Sequence, residues 1–442
     1  MRQSRLVHGG LVVGAGILFG NITGFFRVAV AAYLVGTHAR ADSLAVATGP
    51  LDTMNSVIVN TMLFAFTPML MAQEGADRAA LFARASRVFA IILACASVAA
   101  IVLAPQLIGL LGPGLTGAPR DEAVILLRLI APATLFAGCA AACSALLYTE
   151  RRFLVPGLYQ ACLNGATIVA ALSLWKAAGI YGFAIGYTAG AALQLVITWT
   201  ATRDLRRTAK SDLRFPLSEI LAKPGMFLFY AGLIAANIIV TRAFATQAGS
   251  GMAAAFEYCM RCASVVIAYL VYPVATTLVP ELARLRATNQ ARQAFRLIDK
   301  SAGVMALGSA AACAIGIWLR TPVIRLLFQR GNFTPESTML VSAVFLGFAP
   351  SLVGWALMDL IARCFFAVDS YRVPLLAACV PVSVNLAVMT FLRAQGRLSD
   401  PAMLGTGASA GLAAGFTVLF AMIHIQRRNV SLTPALVDLT LR

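Results

Sequence analysis

Apolar runs of about 20 residues recur along this chain from end to end, separated mostly by short polar stretches. A run of that length crosses a hydrocarbon core of roughly 30 Å as a helix, because lipid offers the backbone no hydrogen-bond partners and each span must satisfy its own. Twelve spans are predicted, over about 9–35, 43–72, 88–111, 123–147, 153–175, 180–201, 225–247, 252–280, 301–319, 338–366, 373–392 and 402–425. With 60% apolar residues, 12% charged residues and a mean hydropathy of +0.82, the chain reads as an all-α polytopic membrane protein. Its start, Met-Arg-Gln-Ser-Arg before an apolar run, resembles a signal peptide. The run is too long for one and passes through Arg27 without a small-residue cleavage site, so it is expected to stay as the first helix.

The formal charge of +17 comes mostly from arginine, with only four lysines, and lies in the loops. In a soluble chain it would suggest nucleic acid. Between membrane spans it sets orientation and attracts anionic lipid headgroups. Lys and Arg number about 22 on the side of the N-terminus and the even-numbered loops, against about 8 on the other. Both termini and the basic stretch 202–224 (Arg203, Arg206, Arg207, Lys210, Arg214, Lys223) are therefore expected in the cytoplasm. That stretch divides the chain into an N-terminal six-helix lobe, 1–201, a linker, 202–224, and a C-terminal six-helix lobe, 225–442.

The halves repeat. Pro68 matches Pro280, Pro105 matches Pro322, Pro132 matches Pro350 and Pro156 matches Pro374, at offsets of 212 to 218 residues and with similar neighbours. Pro68 and Pro280 are expected to close the second helix of each half. Six helices per half is even, so both halves cross the membrane in the same sense. The expectation is two six-helix parallel-repeat lobes around a central cavity, the arrangement of many transporters. Prolines in or at the ends of spans supply hinges.

Five arginines fall within spans: Arg27, Arg128, Arg242, Arg261 and Arg363. A guanidinium at the bilayer centre costs between about 2.5 and about 17 kcal/mol, so it must face a polar cavity, pair, or snorkel to the interface. Arg27 shares a helix face with Gly16, Gly20, Thr23 and Ala31, with Asn21 and Gly24 beside it. This small, polar stripe is expected to line an aqueous cavity; helix packing with a snorkelling Arg27 is the alternative. Arg242 holds the corresponding place in the second half. Arg261 follows Glu257 by one turn and Arg363 follows Asp359, so each has a carboxylate within reach. Arg128, near a helix start, is expected to snorkel. Asp42 is near enough in sequence to pair with a cation at the end of the first span. Fixed cations in both halves suit an anionic group crossing the bilayer, and arginine's planar fork suits phosphate oxygens.

The nine cysteines all fall in apolar runs, and Cys259-Met-Arg-Cys262 lacks a second pair or a histidine, so neither a disulfide framework nor a metal site is expected. Three histidines, no phosphate-cradling loop and no large soluble insertion argue against an enzyme and against a cofactor.

Gly24-Phe25-Phe26-Arg27, Ala41-Asp42, Pro50 and Ala65-Phe66-Thr67-Pro68 resemble the first two helices of the MurJ/MviN lipid II flippases, within the superfamily of multidrug, oligosaccharidyl-lipid and polysaccharide exporters. Tyr258-Cys259-Met260-Arg261 with Pro280-Glu281-Leu282, then Leu327 to Thr334, then Ala362 to Asp369 with Pro374 and Asn385, extend the resemblance in order along the chain. It implies an inner-membrane flippase in peptidoglycan and cell-wall biogenesis and cell shape. Its cargo would be a polyprenyl-pyrophosphate-linked glycan, with membrane lipids and cell-wall synthesis proteins as partners. Arg27 and Arg261 fall on basic positions of the family's cavity and Asp42 on its helix 2 aspartate; Arg242 and Asn21 complete the candidate substrate-binding set. The chain departs from the pattern at Asn21, Val28 and Met54, where the family carries an arginine, an aspartate and an arginine, and at Val59-Asn60 in place of Glu-Gly. It is expected to have twelve helices against the family's fourteen. No ion site is assigned, since Asn385 is followed one turn later by Met389. A carrier of another polyprenyl-linked precursor remains an alternative cargo reading, and a cation-coupled multidrug antiporter a further one, kept open by Asp52, Glu257 and Asp359.

Overall fold

A computed structural model describes residues 2–206, 216–288, 290–367 and 372–432. The middle of the expected linker and Asp369 lie outside the described residues. The described chain is helical, with short turns and no strand. In order, the long helices are α1 (Arg2–Val35), α2 (Ala39–Thr61), α3 (Gly75–Val102), α4 (Ala118–Ile130), α5 (Pro132–Thr149), α6 (Leu154–Ser173) and α7 (Tyr181–Ala201). They continue with α8 (Leu217–Ala248), α9 (Met252–Ala287), α10 (Ala291–Phe328), α11 (Pro335–Phe348), α12 (Ser351–Ala367), α13 (Arg372–Ala394) and α14 (Thr406–Leu432).

Among the described residues nine helices are long and apolar enough to cross a membrane, or ten if the bent pair α11–α12 forms one span. The other two of the twelve predicted spans are α1, whose Phe19–Val35 stretch is a shorter apolar helix that carries Arg27, and α2, which carries Asp52 and Asn55. Polar groups in lipid-depth helices are costly unless the protein satisfies them, which marks these two as the place to look for function.

Proline acts in two ways here. Pro68 lies in the last helical turn before the loop, as expected, whereas Pro280 does not end its helix. After α2 the chain makes a π-helical turn, Met62–Phe66, and runs helical to Met71; α9 continues past Pro280 to Ala287. In the π turn the Thr67 N–H and the Thr67 hydroxyl both donate to the Met62 carbonyl, the hydroxyl at 3.0 Å. The second kind interrupts the helix. Ala131 leaves it just before Pro132, although α4 and α5 together still form one span, Ala118–Thr149, and at the matching Pro350 the axis bends by 49° between α11 and α12.

Two compact units emerge, Met1–Gly232 with Arg330–Phe333, and Leu233–Gln329 with Thr334–Arg442. In the first unit, Phe66, Phe82 and Leu70 are sealed against Phe89, Leu146 and Ile220, with Phe66 and Phe89 edge to face at 5.3 Å. Gly182, Gly186 and Gly190 on α7 lie against α6: a Cβ on Gly186 would come within 2.6 Å of the Ala170 Cβ. In the second unit, Gly411 and Gly415 on α14 lie against α13, and a Cβ on Gly411 would meet the Pro381 carbonyl at 2.4 Å. Lipid tails are as apolar as Leu, so helices in a bilayer associate by close packing, and small residues every fourth position permit it. α7 and α14 are thus packed by the same device. The outward helices match too: only 17% of the apolar stretch is buried in α3 and in α10.

The Gly331-Asn332 turn belongs to the first unit. Gly331 takes a φ of +60, which a glycine adopts without penalty. The Asn332 backbone then donates to the Tyr33 carbonyl at 2.9 Å and its Nδ2 to the Leu34 carbonyl at 2.7 Å, capping the end of α1.

Candidate functional site

The first unit joins α1, α2 and α7 through one polar network. Arg27 Nη2 donates to Asp52 Oδ2 at 2.6 Å, with 15% of the arginine and 29% of the aspartate side chain exposed. Tyr187 Oη donates to Asp52 Oδ1 at 2.6 Å, and Asn55 Nδ2 donates to Tyr187 Oη at 2.8 Å. The Arg27 guanidinium also lies 5.5 Å from the centroid of the Tyr187 ring. Asp52 and Asn55 are three apart on α2 and so share a face. Pairing and hydrogen bonds to both carboxylate oxygens are what allow these charges to remain at membrane depth.

The stripe expected to line an aqueous cavity divides. Gly16 is closed against Gly157 of α6, where a Cβ would fall 2.6 Å from the backbone. Gly20 faces Gln160, and Asn164 Nδ2 donates at 3.2 Å to both the Gly20 carbonyl and Thr23 Oγ1. Gly16, Gly20 and Thr23 are therefore packing residues, small because α6 comes so close. Asn21 is half-buried on α1, and Arg27 turns to α2. Asp42, suggested by sequence as a partner for a cation there, is buried in the first turn of α2, where a helix N-terminus favours a carboxylate. The carboxylate that meets Arg27 is ten residues further on. At the same end of α2, Arg40 Nε and Nη2 reach Glu122 Oε1 on α4 at 3.0 and 2.9 Å.

In the second unit, Arg242 is 2% exposed and its Nη2 donates to Glu257 Oε2 at 2.7 Å. Glu257, which the sequence offers as a neighbour for Arg261, is thus engaged by Arg242. Arg261 is half-buried one turn later on α9. Arg363 Nε donates to Asp359 Oδ2 at 3.1 Å, the pair expected from their spacing. Arg128 is exposed and donates to the Ile101 carbonyl. Asn385 is fully buried and its Nδ2 reaches the Asn237 side-chain and backbone oxygens and Thr241 Oγ1 at 2.8 to 2.9 Å, tying α13 to α8. No cluster of three or more His, Cys, Asp or Glu capable of holding a metal occurs among the described residues, and all nine cysteines are free thiols.

Arg27 is expected to face a cavity or snorkel and Arg242 to hold the corresponding place; the structure gives each a carboxylate, and Arg363 has the Asp359 partner its spacing predicts. Sequence reasoning missed Tyr187, Asn55 and Asn164. Their one signal is a hydrogen-bonding side chain isolated among glycines and alanines in an apolar span, as in Gly186-Tyr187 and Asn164-Gly165.

The model of the family described as lipid II flippase MurJ matches residues 31–442. The chain is 25% identical over 436 residues to a probable lipid II flippase MurJ of Rhizobium meliloti (strain 1021), covering 93% of this chain and 79% of that one. It is 24% identical over 436 residues to the lipid II flippase MurJ of Burkholderia cenocepacia, covering 95% and 84%. Among solved structures, a lipid II flippase MurJ in an inward closed conformation has a TM-score of 0.80 at 17% identity, over 98% of this chain and 94% of that one. An inward-facing multidrug resistance MATE family transporter has a TM-score of 0.77 at 12% identity, over 93% and 96%. These two likenesses show the fold. Helices that cross the membrane many times, that shared fold, and a family model running from residue 31 to residue 442 together establish that this chain is a multi-pass inner-membrane protein of the MurJ lipid II flippase family, a family of transporters.

Proposed function

We propose that this protein moves the anionic pyrophosphate-sugar head of a lipid-linked peptidoglycan precursor, lipid II, outward across the cytoplasmic membrane by alternating access, with the lipid tail left in the bilayer. The observation that carries the reading is the family match over residues 31–442. Arginines held within membrane helices in each unit add to it: Arg27, Arg242 and Arg261. In this reading Arg27 and Arg261 engage phosphate oxygens, Asn21 and Asp42 flank the Arg27 side, and Arg242 holds α8 to α9 through Glu257. The lobes are 1–201 and 225–442, joined by 202–224, and the Lys and Arg bias favours cytoplasmic termini. An inside-negative potential favours outward movement of negative charge by about 2.3 kcal/mol per charge per 100 mV.

Asp52, Glu257 and Asp359, the carboxylates a cation antiporter would use, are each engaged by an arginine, which weighs against a cationic cargo. The test is complementation of a bacterial strain depleted of its lipid II flippase. Growth and normal shape on expression of this chain are expected, and are lost with Arg27→Ala and with Arg261→Ala at unchanged membrane levels. Failure of the well-expressed wild-type chain would overturn lipid II as cargo and turn attention to another polyprenyl-linked precursor. Rescue by both variants would remove the arginines from the cargo site.

A further inference from the structure

Asp52 stands where a cargo anion would stand. A carboxylate and a phosphate offer a guanidinium the same geometry, an oxygen in the plane of the fork accepting a short charge-assisted bond. Asp52 Oδ2 already makes that bond to Arg27 Nη2, at 2.6 Å. Of the charged pair it is the more accessible partner, 29% exposed against 15% for Arg27, so an arriving anion meets the carboxylate first. The second carboxylate oxygen is held from the opposite side. Tyr187 is almost fully buried, and its hydroxyl has one proton to give. Because Asn55 Nδ2 donates to that hydroxyl, the proton is directed to Asp52 Oδ1. If Asp52 leaves Arg27, it therefore keeps one hydrogen bond and does not become a stranded charge at membrane depth.

We propose that Asp52 is a built-in competitor of the cargo at Arg27: the phosphate of an anionic lipid head displaces its carboxylate, Tyr187 and Asn55 hold it meanwhile, and its return to Arg27 expels the cargo. The proposal rests on the reading that an anionic head reaches Arg27, and it assigns Asp52 and Tyr187 as positioning residues that set affinity and release. Such a competitor weakens binding and speeds turnover, so its removal moves the two in opposite directions, which the loss of a merely structural ion pair does not.

The experiment uses the full chain, purified and reconstituted in lipid nanodiscs, with farnesyl pyrophosphate as the probe and farnesol as the uncharged control, read by microscale thermophoresis. Asp52→Asn is expected to tighten probe binding about tenfold and leave farnesol unchanged. In the Arg27→Ala background the same substitution is expected to give no tightening, because there is no guanidinium to free. Tyr187→Phe is expected to weaken binding about threefold, since a carboxylate without its second donor depends more on Arg27. In a transport assay Asp52→Asn is expected to lower both the half-saturating cargo concentration and the maximal rate. Folded Asp52→Asn protein that binds the probe no better than wild type overturns the proposal while wild-type binding leaves the anionic-head reading standing. Should Asp52→Asn fail to fold, unchanged or tighter binding by Tyr187→Phe overturns it instead. Probe binding by none of the proteins overturns both.

Discussion

Removing Glu257 should harm this protein far more than removing the arginine it pairs with. Arg242 is 2% exposed, and among the described residues its Nε and Nη1 have no hydrogen-bond partner, so Glu257 supplies both its counter-charge and its hydrogen bond. Glu257→Leu leaves a buried, uncompensated guanidinium and is expected to cost about 3–5 kcal/mol. Arg242→Met leaves a carboxylate that is 25% exposed, a less enclosed charge than the guanidinium, with an expected cost of about 1–2 kcal/mol. The double substitution removes both charges and should lie within about 1 kcal/mol of wild type, giving a coupling of about 3 kcal/mol or more. Reversible unfolding in mixed micelles by increasing SDS, followed by far-UV circular dichroism, measures all four proteins. The reasoning fails if Arg242→Met is as damaging as Glu257→Leu, or if the double variant shows the sum of the single losses.

Three further outcomes are expected from the packing. Gly186→Leu and Gly411→Leu should each cost at least about 2 kcal/mol in the same unfolding assay, because α6 and α13 backbones occupy the space a side chain needs, whereas Gly165→Ala, with nothing within 4 Å of a Cβ, should be close to neutral. Asn164→Ala removes two bonds to α1 and should cost about 1–2 kcal/mol, with a neutral result showing that α6 does not depend on them. Cysteine placed at position 21 in a cysteine-free background should react with a polar thiol reagent faster than cysteine at position 20, which faces Gln160; equal rates would mean that α1 separates from α6.

The spans, the duplication and the family were all legible in the chain because each rests on a local or repeating property. A run of apolar residues has to be a helix in lipid whatever surrounds it, and prolines in register leave matching irregularities at Pro132 and Pro350. The location of Arg27 inside a membrane helix was equally plain. Its partner was not. Asp42 and Asp52 are both on α2, and choosing between them requires the rotation of α2 against α1 and the approach of Tyr187 from α7, which no spacing along one helix encodes. For the same reason glycines that read as the wall of a wet cavity proved to be contact points for α6. A small residue permits water or a neighbouring helix equally well, and only the tertiary packing decides which arrives.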